Sequence, residues 1–158
     1  THTATTRTST LSLHDALPIS TRDMYLETGF KVAQSTISRI NGPTATHMAS
    51  GSCLPIVNDI AQTGTAVLGS SVIEDLASMK EACRGKLTVL GNMNAIEMRN
   101  WSPQQAEAVV KEAIARAGAG GGFILSDNHG EIPWQVPDEV LLSISEAVHQ
   151  WGKYPLKA

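Results

Sequence analysis

Apolar positions over residues 22–40 fall close to helical spacing. Tyr25, Leu26, Phe30, Val32, Ala33, Ile37 and Ile40 predict one helix there. Asn41-Gly42-Pro43 stops it, because Gly suits the position just past a helix and Pro cannot continue one. From that point the pattern alternates. Short apolar runs at 44–49, 66–69, 87–90 and 122–125 predict four strands, and helical patterns at 54–62, 74–83, 102–117 and 137–152 predict a helix after each. The clearest helix start is Ser102-Pro103, an N-cap followed by Pro, with Gln105 placed to complete a capping box. Gly91-Asn92 reads as a turn after the third strand, and the glycine run at 118–122 as a helix-to-strand connection.

Short apolar strands alternating with helices imply an α/β fold, a parallel sheet covered by helices. A doubly wound sheet and part of a (β/α)8 barrel both fit. A whole barrel takes ~250 residues, so four strand–helix units are half of one. The glycine run precedes a strand, whereas a phosphate-binding loop follows one and starts a helix.

Residues 1–20 show no structural period. The stretch from Thr10 to Ile19, TLSLHDALPI, is similar to the translation of a common sequencing-library adapter. The expected organisation is a non-native or disordered tail at 1–20 and one domain at 21–158, so His14 and Asp15 carry no function.

Composition narrows the class. A net charge of −3 without any Lys/Arg cluster excludes the basic surface that nucleic-acid binding needs. No apolar run approaches the ~20 residues of a membrane helix. Two cysteines, Cys53 and Cys83, do not make a disulfide scaffold, and a reducing, cytoplasmic setting is expected.

The candidate chemistry lies where the strands end. The first ends near His47, the second at Ser70-Ser71, the third at Asn92 and Asn94, and the fourth at Asp127-Asn128-His129-Gly130-Glu131. In parallel α/β folds ligands bind at the C-terminal edge of the sheet, so these groups are expected to share one mouth. Two carboxylates, an imidazole and a Gly within five positions suit acid–base work, metal binding or a solvated turn. Cys53, six residues past His47, is compatible with a metal site without being specific to one. Cys83 and the three tryptophans, Trp101, Trp134 and Trp151, read as packing.

The order His47, Pro55-Ile56, Thr63-Gly64, Glu74-Asp75-Leu76, Gly91-Asn92 and His129-Gly130-x-x-Pro133-x-x-x-Pro137 resembles the uroporphyrinogen decarboxylase superfamily. That superfamily holds the decarboxylases of haem synthesis and cobamide-dependent methyltransferases. The resemblance covers roughly residues 22–154 and implies the C-terminal half of a (β/α)8 TIM barrel. In the methyltransferase-like branch it implies zinc held by His47, His129 and Glu131, with a corrinoid as methyl donor. A corrinoid protein is then a further partner. The methyltransferases' His-x-Cys-Gly is His47-Met48-Ala49-Ser50 here, so that Cys is missing. In the decarboxylase branch there is no cofactor, and His129 hydrogen-bonds a carboxylate side chain of a tetrapyrrole. A third reading is a non-catalytic barrel binding a corrinoid or small acid. His47 and His129 are the catalytic candidates, and Ser71, Asn92, Asp127, Asn128 and Glu131 the substrate-binding ones. The methyltransferase-like branch is the leading expectation, with self-association through open sheet edges and an inactive isolated fragment.

Overall fold

The computed structural model describes residues 21–48, 51–128 and 130–156. Residues 1–20, expected as a tail, and His129, expected in the site, lie outside the described residues. The chain opens with α1 (Arg22–Tyr25), which runs through a π turn at Leu26–Phe30 into α2 (Lys31–Ile37). The single helix expected over 22–40 is thus interrupted and three residues shorter. The Thr28 hydroxyl donates to the Met24 carbonyl at 2.6 Å, the kind of back-bonding that disturbs a helical ladder.

Four strand–helix units follow. They are β1 (Ala45–His47) with a 3-10 turn at Leu54–Ile56 leading into α3 (Val57–Ala61), and β2 (Val67–Gly69) with α4 (Leu76–Cys83). Next come β3 (Thr88–Met93) with a 3-10 turn at Glu97–Asn100 and α5 (Pro103–Ala117), and β4 (Phe123–Asp127) with α6 (Asp138–Trp151). The sheet order is β1-β2-β3-β4, and every neighbouring pair is parallel. Sequential parallel strands with intervening helices are the arrangement of consecutive units in a (β/α)8 barrel.

Three local signals are realised directly. Gln105 N–H donates to Ser102 Oγ at 3.2 Å and Ser102 N–H to Gln105 Oε1 at 2.7 Å, closing the capping box of α5. Gly120, Gly121 and Gly122 all have positive φ, which the helix-to-strand connection uses. Cys83 is buried in the core.

Other boundaries differ. Gly91-Asn92 is no turn: β3 continues through both to Met93, with a cis peptide between them. Their ladder partners on β4, Leu125 and Ser126, carry the strand on. The third helix pattern starts at Leu76 rather than Glu74, because Asp75 is the N-cap and its carboxylate accepts the Ser78 N–H at 2.8 Å. Trp134 is 88% exposed and packs into no core, unlike the packing role expected of it.

The sheet has two unlike faces. Leu68 and Val89 are fully buried against the helices, where Met79, Cys83, Ile60 and Ala113 meet them and Phe123 and Leu125 pack alongside. β3 alternates half-buried and buried residues from Thr88 to Met93, the period-2 pattern of a strand with one covered face. The register His47↔Gly69↔Leu90↔Ile124 therefore puts one row of residues on the face away from the helices. Ile124 in that row is 46% exposed.

Candidate active site

The loops after β1 and β2 are tied together by one buried carboxylate. Glu74 Oε1 accepts Ser52 Oγ–H at 3.0 Å, Cys53 N–H at 2.5 Å and Leu54 N–H at 3.0 Å. These are free donors at the start of the 3-10 turn after β1, so Glu74 caps that turn from the loop after β2. Asn92, on β3, adds the third loop: its Nδ2 donates to the Ser71 carbonyl at 3.0 Å and the Glu74 carbonyl at 3.1 Å. Asn92 is therefore engaged in holding backbone. Ser71 is buried, and its hydroxyl accepts the Ile73 N–H at 3.4 Å.

Sequence reasoning missed Glu74 by placing it inside a helix. The adjoining Asp75 with Ser78 three residues on was the available signal, since an N-cap at Asp75 leaves Glu74 outside the helix.

His47 ends β1 and is half-buried. Its ring lies over Gly69: a Cβ added there would stand 2.3 Å from Nδ1. Nδ1 is buried and has no hydrogen-bond partner. The other ring nitrogen faces the loop after β4, because a Cβ on Gly130 would lie 3.7 Å from Nε2. β1 and β4 are the outer strands of the sheet, so this loop returns across the mouth to reach His47. The return begins with a tight turn in which Asp127 Oδ2 accepts the Gly130 N–H at 2.5 Å, and Gly130 supplies the positive φ. Asp127 Oδ1 also accepts Ser126 Oγ–H at 3.3 Å.

Asn128 is 1% exposed. Its backbone N–H donates to the Met93 carbonyl at 2.9 Å and its Oδ1 accepts the Ala95 N–H at 3.3 Å, while Nδ2 has no partner. Glu131 is exposed. The structure thus brings His47 and the 127–130 turn together, gives Asn92 and Ser71 to backbone support, and leaves Glu131 at the surface.

No three His, Cys, Asp or Glu side chains form a ligand group among the described residues, and His129 of the expected set lies outside them. Burial above all, and the neighbouring Glu74 carboxylate, push the Cys53 thiol up to about 12, so in this structure it is a protonated core group. A separate cleft of about 340 Å³ lies between β3 and α5, lined by Glu74, Asn92, Asn94, Trp101 and Arg116, and does not include His47.

The family described as Uroporphyrinogen decarboxylase (URO-D) matches residues 19–151, most of the chain. The chain belongs to the uroporphyrinogen decarboxylase family. It is 30% identical over 94 residues to the uroporphyrinogen decarboxylase of Actinobacillus pleuropneumoniae serotype 5b, a match covering 60% of this chain and 26% of that protein. The uroporphyrinogen decarboxylase of Magnetococcus marinus is 30% identical over 88 residues, 56% of this chain and 24% of that protein. A solved methyltransferase from Methanosarcina mazei shares the fold with a TM-score of 0.74 at 21% identity, over 87% of this chain and 40% of its own. The matched segment is about a quarter of the curated relatives and two fifths of the solved structure. The likeness to the methyltransferase is one of fold. No helix among the described residues is long and apolar enough to cross a membrane.

Proposed function

We propose that the chain forms part of the mouth of a uroporphyrinogen decarboxylase-family enzyme acting on a carboxylate-bearing tetrapyrrole, with His47 as a hydrogen-bond donor to substrate. The state of the His47 ring carries this reading. A buried nitrogen without a partner is tolerated better as a bare acceptor than as a bare N–H. With Nδ1 left as the bare acceptor, Nε2 carries the N–H and faces the mouth as a donor suited to an anionic oxygen. A zinc ligand would need the opposite tautomer, and its Nδ1–H would lack the acceptor that metal-bound imidazoles ordinarily have. The identity to proteins named as decarboxylases supports the same reading.

Methyl transfer from a corrinoid to a metal-activated acceptor is the second reading. What favours it is the closeness of the loop after β4 to the Nε2 side of His47, where a Cβ added to Gly130 would lie 3.7 Å away. Two measurements on the protein at its full gene-encoded length separate the readings: zinc per chain by elemental analysis, and decarboxylation of a carboxylated porphyrinogen. The expected result is no stoichiometric zinc and turnover that falls at least tenfold in His47→Ala. One zinc per chain, lost in His47→Ala, would overturn the decarboxylase reading in favour of methyl transfer.

The 158-residue chain alone is expected to self-associate and to lack turnover. Among the described residues β1 and β4 have strand partners on one side only, and unpaired edges seek another strand. Light scattering checks this; a stable, active monomer would contradict it.

A further inference from the structure

Three buried side-chain atoms among the described residues have no hydrogen-bond partner: Thr44 Oγ1, His47 Nδ1 and Asn128 Nδ2. Thr44 precedes β1 and so lies at the other end of the sheet. His47 and Asn128 both stand at the C-terminal edge. Leaving a buried donor unmade costs about 1–3 kcal/mol, and native chains retain such groups where a ligand or water completes them.

The Asn128 amide is held in one orientation. Ala95 N–H donates to Oδ1, so the oxygen is the acceptor and Nδ2 is left as the free donor. The backbone of Asn128 is fixed as well, by its N–H bond to the Met93 carbonyl. A donor this deeply buried and this well held is preorganised.

Asn128 also belongs with His47. It directly follows β4, whose Ile124 shares the His47 row, at the same C-terminal edge of the sheet. Gly130, only two residues further, already meets the Nε2 side of His47. Two residues span at most ~7 Å, so the backbone of Asn128 lies within that distance of the turn residue beside His47.

We propose that Asn128 Nδ2–H and His47 Nε2–H form a two-donor cradle for a single carboxylate, which makes Asn128 a substrate-binding residue selecting acidic ligands. Two N–H donors converging on one carboxylate give geometric selection as well as charge assistance. The inference rests on the acid-binding reading above and deepens it. It requires no metal and no change of fold.

The test is an acetate titration of the ¹⁵N-labelled chain at constant ionic strength, read by nuclear magnetic resonance at the Asn128 side-chain amide and the His47 ring nitrogens. Without acetate, His47 is expected as the Nε2–H tautomer. With acetate, the Asn128 amide and Nε2 should shift together along one saturating curve. Asn128→Asp keeps an acceptor for Ala95 N–H but replaces the donor by a negative charge, so acetate affinity should fall at least fivefold with the fold retained. Where that variant melts early, His47→Gln supplies the second comparison and should also weaken acetate at least fivefold. An Asn128 amide that ignores acetate, or unchanged affinity in a folded Asn128→Asp, overturns the cradle. Joint saturation without tetrapyrrole decarboxylation at full length would sink the proposed activity while leaving the cradle standing. Decarboxylation unaffected by Asn128→Asp would do the reverse.

Discussion

Glu74→Ala is expected to lower the unfolding free energy by about 3 kcal/mol, a large fraction of the stability of a domain this size. Three donors converge on one oxygen of this side chain, and the Cys53 N–H among them is fully buried. Alanine leaves that N–H without an acceptor and opens the start of the 3-10 turn. Relief of the carboxylate's own desolvation offsets part of the loss, which keeps the figure below the sum of three charged bonds. Glu74→Gln retains an acceptor of the same reach but not its charge, and should cost about 1 kcal/mol. Urea denaturation gives both values. Hydrogen exchange at the Cys53 and Leu54 amides should rise in Glu74→Ala well before global unfolding. A loss under ~1 kcal/mol in Glu74→Ala would show that these loops do not depend on the carboxylate.

That dependence explains what the sequence disclosed and what it hid. The strand–helix alternation is legible because it rests on local periodicity and on punctuation: Gly after helices, Ser102-Pro103 before α5, and apolar runs too short to be helices. The family was legible for a related reason, since ordered short motifs survive in the linear text. Glu74 and Asn92 were not readable as supports, because their partners lie 18 to 22 residues away and meet them only once the sheet is formed. Gly91-Asn92 misled for a chemical reason. Gly and Asn are the usual turn residues, and here tertiary pairing with Leu125 and Ser126 overrides that preference. The candidate site was half visible. Polar groups at strand ends pointed to the mouth, but only the folded chain separates His47 and Asn128, each with an unpartnered buried atom, from Asn92 and Ser71, whose side chains bond to backbone.

Gly69→Ala is expected to damage the site more than the fold. Gly69 sits opposite His47 in the β1–β2 ladder, and an added Cβ would come within 2.3 Å of Nδ1 and 3.2 Å of both Cε1 and Cγ. Contacts that short are not tolerated, so the imidazole must rotate away or the strands must part. Overpacking of this kind costs about 2 kcal/mol when a side chain can move. Because the ring rather than the backbone faces the new methyl, rotation is the cheaper response. Rotation carries Nε2 away from Gly130 and so out of the proposed cradle. The expected result is a modest drop in melting temperature together with loss of the saturating acetate shift at the Asn128 amide. Gly42→Ala is the matched control: its added Cβ meets nothing within 4 Å, so only the strain of its positive φ is felt and acetate binding should persist. If Gly69→Ala binds acetate as the parent chain does, the position of the His47 ring over Gly69 has no part in ligand recognition.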